Sequence, residues 1–109
     1  MSQQILQVNF NFNISVQEYK EVVASLAQEF AAVPGCQWKI WLMDEDKREA
    51  GGIYLFENKE ALEHFKQTPL IASVFSSPAL SNFSVKEFSI LDEVSIITRA
   101  PLALEAEMH

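Results

Sequence analysis

A chain of 109 residues carrying a net charge of −7 has room for one domain with a single core. Its 15 acidic and 8 basic side chains leave no basic stripe, which excludes a nucleic-acid partner that must be held by its phosphates. Cys36 is the only cysteine, so neither an intrachain disulfide nor a thiolate metal cluster can form.

Met1-Ser2-Gln3-Gln4 lacks the basic-then-apolar pattern of a signal peptide. No run approaches the roughly 20 apolar residues that span a bilayer. The expectation is a cytoplasmic protein with no membrane partner.

Residues 4–13 alternate, with Leu6, Val8, Phe10 and Phe12 on one face and Gln7, Asn9, Asn11 and Asn13 on the other, which predicts a strand. Ser15 and Glu18 have the spacing of a capping box. The helix after it carries Tyr19, Val22, Val23, Leu26, Phe30 and Val33 as one apolar stripe and is stopped by Pro34-Gly35. Strands at about 36–44 and 49–57 follow, joined by the acidic turn Asp44-Glu45-Asp46-Lys47, which lacks companion ligands for a metal.

Asn58 is a good N-cap for a second helix with Ala61, Leu62 and Phe65 inward, and Thr68-Pro69 ends it. Residues 70–81 read as a short helical turn broken at Ser77-Pro78. A last strand is expected over about 83–91, with a bulge or bend near Asp92-Glu93 and more strand-like sequence through Ile97. One domain over 1–100 and a tail over 101–109 complete the division.

The order βαββαβ with right-handed crossovers is the ferredoxin-like plan, an α+β fold with a four-stranded antiparallel sheet. Both helices then cover the same face. The hairpin from Gln37 to Phe56 has large apolar side chains on both faces, and a strand apolar on both faces needs cover on both. A second copy packed sheet to sheet supplies it, so a homodimer is expected.

Trp38-Lys39-Ile40-Trp41 followed by Glu49-Ala50-Gly51-Gly52-Ile53-Tyr54-Leu55-Phe56 resembles the YdhR-like family of small candidate monooxygenases. Leu6-Gln7-Val8-Asn9-Phe10, Asn13, Pro34-Gly35 and Lys86-Glu87-Phe88 fit as well, so the likeness spans nearly the whole chain. The resemblance implies a dimeric α+β barrel and cofactor-independent oxygenation of a small aromatic or polycyclic compound. One branch of the wider superfamily degrades haem with an asparagine, a tryptophan and a histidine. Phe65 and Phe75 stand near the tryptophan and histidine positions here, so that activity is not carried over.

Oxygenation without metal or flavin needs a substrate that becomes an electron-rich anion, a dry apolar pocket, a proton acceptor and donors that hold the anion. Trp38 and Trp41 are candidate stacking walls. An odd separation puts them on opposite faces, so at most one lines a given pocket, and core or interface packing competes for both. Tyr54 is a candidate hydrogen-bond donor, with ordinary core burial as its rival reading. Asn11, in the polar row with Asn9, is a candidate substrate-orienting amide or part of a wet interface.

His64, the only histidine outside the tail, is the candidate general base, although it sits at the edge of its helix's apolar face. Lys39 is expected to pair with Glu49 across the hairpin, the alternative being an anion-holding role. Gly51-Gly52 marks a bulge or a close approach of backbone or ligand. The expected ligand is a small aromatic molecule, with no cofactor. The rival functions are a non-catalytic ligand-binding or sensing module and an acid–base isomerase or lyase on the same fold.

Overall fold

The structure, a computed structural model, describes residues 2–102. The tail expected over 101–109 lies outside the described residues from 103 onward. Strands β1 (Gln4–Phe12), β2 (Cys36–Asp44), β3 (Glu49–Phe56) and β4 (Leu80–Ser89) form one antiparallel sheet in the order β2-β3-β1-β4. Helices α1 (Val16–Ala31), α2 (Lys59–Phe65), α3 (Pro69–Phe75) and α4 (Asp92–Ile97) complete it. This is the ferredoxin-like α+β arrangement expected from the sequence.

The capping box forms as read: the Ser15 hydroxyl accepts from the Glu18 amide and the Glu18 carboxylate accepts from the Ser15 amide, each at 3.0 Å. That hydrogen bonding holds the Glu18 carboxyl below its usual range. Asn58 and Thr68 cap α2 and α3 through their side chains, so the short helices begin where their capping residues stand. Alternation along β1 sends Leu6, Val8, Phe10 and Phe12 under α1, α2 and α3, where they join Tyr19, Phe30, Tyr54, Phe56, Leu62, Phe65 and Ile71 in one core.

Two expectations fail. β4 starts at Leu80 and stops at Ser89, and residues 92–97 form α4 rather than continuing the strand. Val94, Ile96 and Ile97 favour strands by shape, but Asp92 and Glu93 in the first turn suit the positive end of a helix, and no edge pairs with this segment. The irregularities also fall elsewhere than near 92. One lies between Asn9 and Asn11 opposite β4, where Asn82 takes a φ of 55°. The other lies between Cys36 and Trp38 in β2.

The face of the sheet away from α1 to α3 is set by the registers. Phe88, Ile5, Leu55 and Trp38 form one row across the four strands. The next rows are Lys86, Gln7, Ile53 and Ile40, then Ser84, Asn9, Gly51 and Leu42. Ile40 and Phe88 are each about half exposed, at 49% and 50%. Leu55 is fully buried, and beside it the Trp38 indole donates to the Pro101 carbonyl at 2.8 Å. The segment after β4 therefore folds back over this end of the outer face.

Candidate functional site

The pleat of β2 aims Lys39 and Trp41 to the same side, toward α1, and β3 presents Gly52 and Tyr54 opposite them. Gly52 pairs with Trp41 and leaves the surface bare there: a Cβ on it would stand 2.6 Å from the Lys39 Cε. The lysine stem lies across that glycine. Gly51 serves a different purpose, since a Cβ there would run into the Val8 carbonyl of the neighbouring strand. Of the readings of this glycine pair, close backbone approach is the one realised, and β3 keeps its regular register through it.

Above these residues opens a cavity of about 130 Å³ between the sheet and the helices. Val8 and Phe10 form part of its floor, Tyr19, Leu26 and Phe30 of α1 its roof, and Lys39, Trp41 and Tyr54 one wall. Among the described residues its lining contains no carboxylate and no histidine. Among the same residues no cluster of histidine, cysteine, aspartate and glutamate could hold a metal ion.

The expected Lys39–Glu49 ion pair does not form. The register sets Lys39 opposite Tyr54 and Glu49 opposite Asp44, at the far end of the hairpin. The ammonium group instead stands 3.6 Å from the Phe30 ring centre, 3.4 Å from that of Trp41 and 4.5 Å from that of Tyr54. Two influences compete there. Burial favours the neutral amine and pushes Lys39 down to about 7, whereas the three π faces attract the cation. Burial also raises Tyr54 far above its ordinary value and Tyr19 to about 12, so both hydroxyls keep their protons through the physiological range. The Cys36 thiol is likewise pushed up by burial, so it is an inert neutral group near the lysine.

Of the residues singled out from sequence, Trp41 and Tyr54 are brought together in the cavity. Trp38 points to the outer face and binds Pro101, as the odd separation from Trp41 requires. Asn11 lies on that outer face too; its amide donates to the Arg48 carbonyl at 3.2 Å and its oxygen accepts from Asn82 at 3.0 Å. His64 is exposed on α2 and does not line the cavity. Of the two readings of Lys39, the register excludes the pair with Glu49, and the side chain stands in the cavity wall. Its spacing of two from Trp41 already placed both on one face.

The sequence model of the family described as "Putative mono-oxygenase ydhR" matches residues 5–101. No curated protein matches the chain by sequence. Among solved structures, SnoaB of Streptomyces nogalater, described as a cofactor-independent oxygenase, is 20% identical with a TM-score of 0.67, over 85% of this chain and 100% of that one. A protein of unknown function from Nitrosomonas europaea is 15% identical with a TM-score of 0.70, over 94% and 98%. The heme-degrader MhuD of Mycobacterium tuberculosis, solved with two hemes in its active site, is 18% identical with a TM-score of 0.62, over 80% and 95%. At these identities the likeness bears on the fold.

Proposed function

The chain belongs to the ydhR mono-oxygenase family, and from that premise we propose that it is a cofactor-independent monooxygenase acting on an electron-rich aromatic compound held in the α1-side cavity. The observation that carries this reading is the cavity itself, apolar, walled by the Trp41 ring and reached by the hydroxyl-bearing Tyr54. Such a site binds a flat ring, excludes water and offers a donor to a developing oxyanion.

Size narrows the substrate. An apolar cavity of about 150 Å³ accepts benzene, so the 130 Å³ here suits one ring better than a polycyclic system. For a hydroquinone the balance is closed without a cofactor. The substrate and O₂ give a hydroxyquinone and water, and all four electrons that reduce O₂ come from the ring and its two hydroxyls. One oxygen atom enters a C–H bond and the other leaves as water.

Homodimerisation belongs to the same reading. Ile40 and Phe88 on the outer face of the sheet are about half exposed, and after β4 Leu91 and Ile97 are exposed at 76% and 73%. Each such side chain is worth about 1.5–3 kcal/mol when fully covered. A cytoplasmic setting suits the free Cys36. Among the described residues no helix is long and apolar enough to cross a membrane.

Oxygen consumption with a panel of hydroquinones, in chelator-treated buffer, tests the activity. Stoichiometric O₂ uptake with hydroxyquinone formation supports it. Ligand binding without turnover favours a sensing module, and turnover without O₂ favours acid–base chemistry. Sedimentation at micromolar concentration tests the dimer; a monomer there overturns it.

A further inference from the structure

We propose that Lys39 is a catalytic residue of this cavity: its amine takes the proton of a phenolic hydroxyl and stays beside the resulting phenolate as its counter-ion, so the site selects acidic phenols and quinols over neutral arenes. This rests on the cavity being the substrate site.

The geometry supplies three arguments. First, among the described residues Lys39 is the only ordinarily basic side chain in the lining, and no carboxylate there competes for its proton. Second, among the described residues it takes part in none of the ion pairs, which join Lys20, Lys59 and Lys66 to glutamates. A partly buried amine without a counter-ion bears part of the cost of a buried cation, and an anionic ligand offsets it. Third, its position is fixed: Gly52 gives its stem room, and the faces of Phe30, Trp41 and Tyr54 hold its head. A ring stacked in the cavity meets an amine that is already placed.

The proton balance is simple. The O–H bond of the phenol breaks, an N–H bond forms on Nζ, and the electron pair stays on the phenolate, which is the form that can pass an electron to O₂. The titratable groups around Nζ are Tyr54 on β3, Tyr19 on α1 and Cys36 on β2. All three remain neutral at pH 7, because burial raises each of them. The depressed basicity of Lys39 leaves a useful share of free amine at that pH.

The test uses 4-nitrophenol, whose phenolate absorbs in the visible, titrated with pH on the full-length wild type, Lys39→Met and Lys39→Arg. Occupancy is followed separately by tryptophan fluorescence. In wild type the bound probe is expected to ionise at least about one pH unit below the free phenol, which is about a tenfold change in its acid dissociation. Lys39→Met should bind it as the neutral phenol, and Lys39→Arg should favour the preformed phenolate while losing turnover at low pH. Equal ionisation midpoints in wild type and Lys39→Met, with the probe bound in both, overturn the role of Lys39 and leave the cavity reading intact. Failure of the probe to bind wild type overturns both.

Discussion

The ammonium nitrogen of Lys39 stands 3.4 Å from the centre of the Trp41 ring, two residues further along the same strand. Attraction to that ring and burial beside it act on the proton in opposite directions, and burial wins. Stability should record the result. An unfolded lysine titrates near 10.4, and this one titrates near 7 when folded. Between those values the unfolded chain binds more protons, so stability rises with pH, with a slope approaching about 1.4 kcal/mol per unit. Below pH 7 both states carry the charge and its burial costs most. Urea unfolding between pH 6 and about 8, short of the cysteine and tyrosine ranges, should show the rise in wild type. Lys39→Met should show a flatter profile and greater stability at pH 6.

The two adjacent glycines should respond differently to the same substitution. Gly51→Ala drives a methyl group into the Val8 backbone, which cannot yield without opening the β1–β3 ladder, so a loss of about 3 kcal/mol or more is expected. Gly52→Ala meets chiefly the flexible lysine stem, with the Ile40 carbonyl oxygen next at 3.2 Å. Its cost should stay within about 1 kcal/mol, but the displaced amine should lose its effect on a bound phenol. Denaturant melts and the nitrophenol titration together separate the two.

The tryptophans separate in the same way. Trp41→Ala removes an edge-to-face contact with Phe30 (ring centres 5.2 Å apart at 83°) and the wall of the cavity. The contact alone is worth about 0.5–1.5 kcal/mol, and phenol affinity should fall with it. Trp38→Phe loses the hydrogen bond to Pro101, worth about 1 kcal/mol. Ligand affinity measured by calorimetry should be unchanged in that variant.

His64→Ala should leave both oxygen uptake and stability where they were, the latter within about 0.5 kcal/mol, because this side chain is exposed and outside the cavity lining. Asn11→Ala should cost stability through its contacts to Arg48 and Asn82 and leave phenol binding alone. A loss of turnover in His64→Ala with normal binding would return the base to α2.

The period-two pattern made the sheet and the split between Trp38 and Trp41 legible, because a strand's faces follow from parity once its ends are known. Ser15 and Asn58 made the starts of α1 and α2 legible through their side-chain oxygens, whereas Thr68 reads from sequence as the end of α2 and in the structure also caps α3. The shared face of Lys39 and Trp41 was legible from parity, but the rest of the lysine's surroundings was not, because they come from Phe30 on α1 and Tyr54 on β3, distant in sequence. Residues 92–97 look strand-like in sequence because Val94, Ile96 and Ile97 are β-branched, but β4 ends at Ser89 on the sheet's edge and the segment has no strand to pair with.

The outer face of the sheet is graded from end to end. Its first row, Phe88, Ile5, Leu55 and Trp38, is hydrocarbon and aromatic, whereas its last, Ser81, Asn11, Glu49 and Asp44, is polar or charged. A copy related by a two-fold axis lying in the plane of this face and running across the strands at their middle would set oily rows against carboxylates. Cover for the apolar end requires the axis to pass near Trp38 and Leu55, where the segment after β4 already crosses. The two amide-rich ends would then lie at the rim, open to water. The gradient thus acts as an address: in the homodimer proposed above it would decide where the symmetry axis falls.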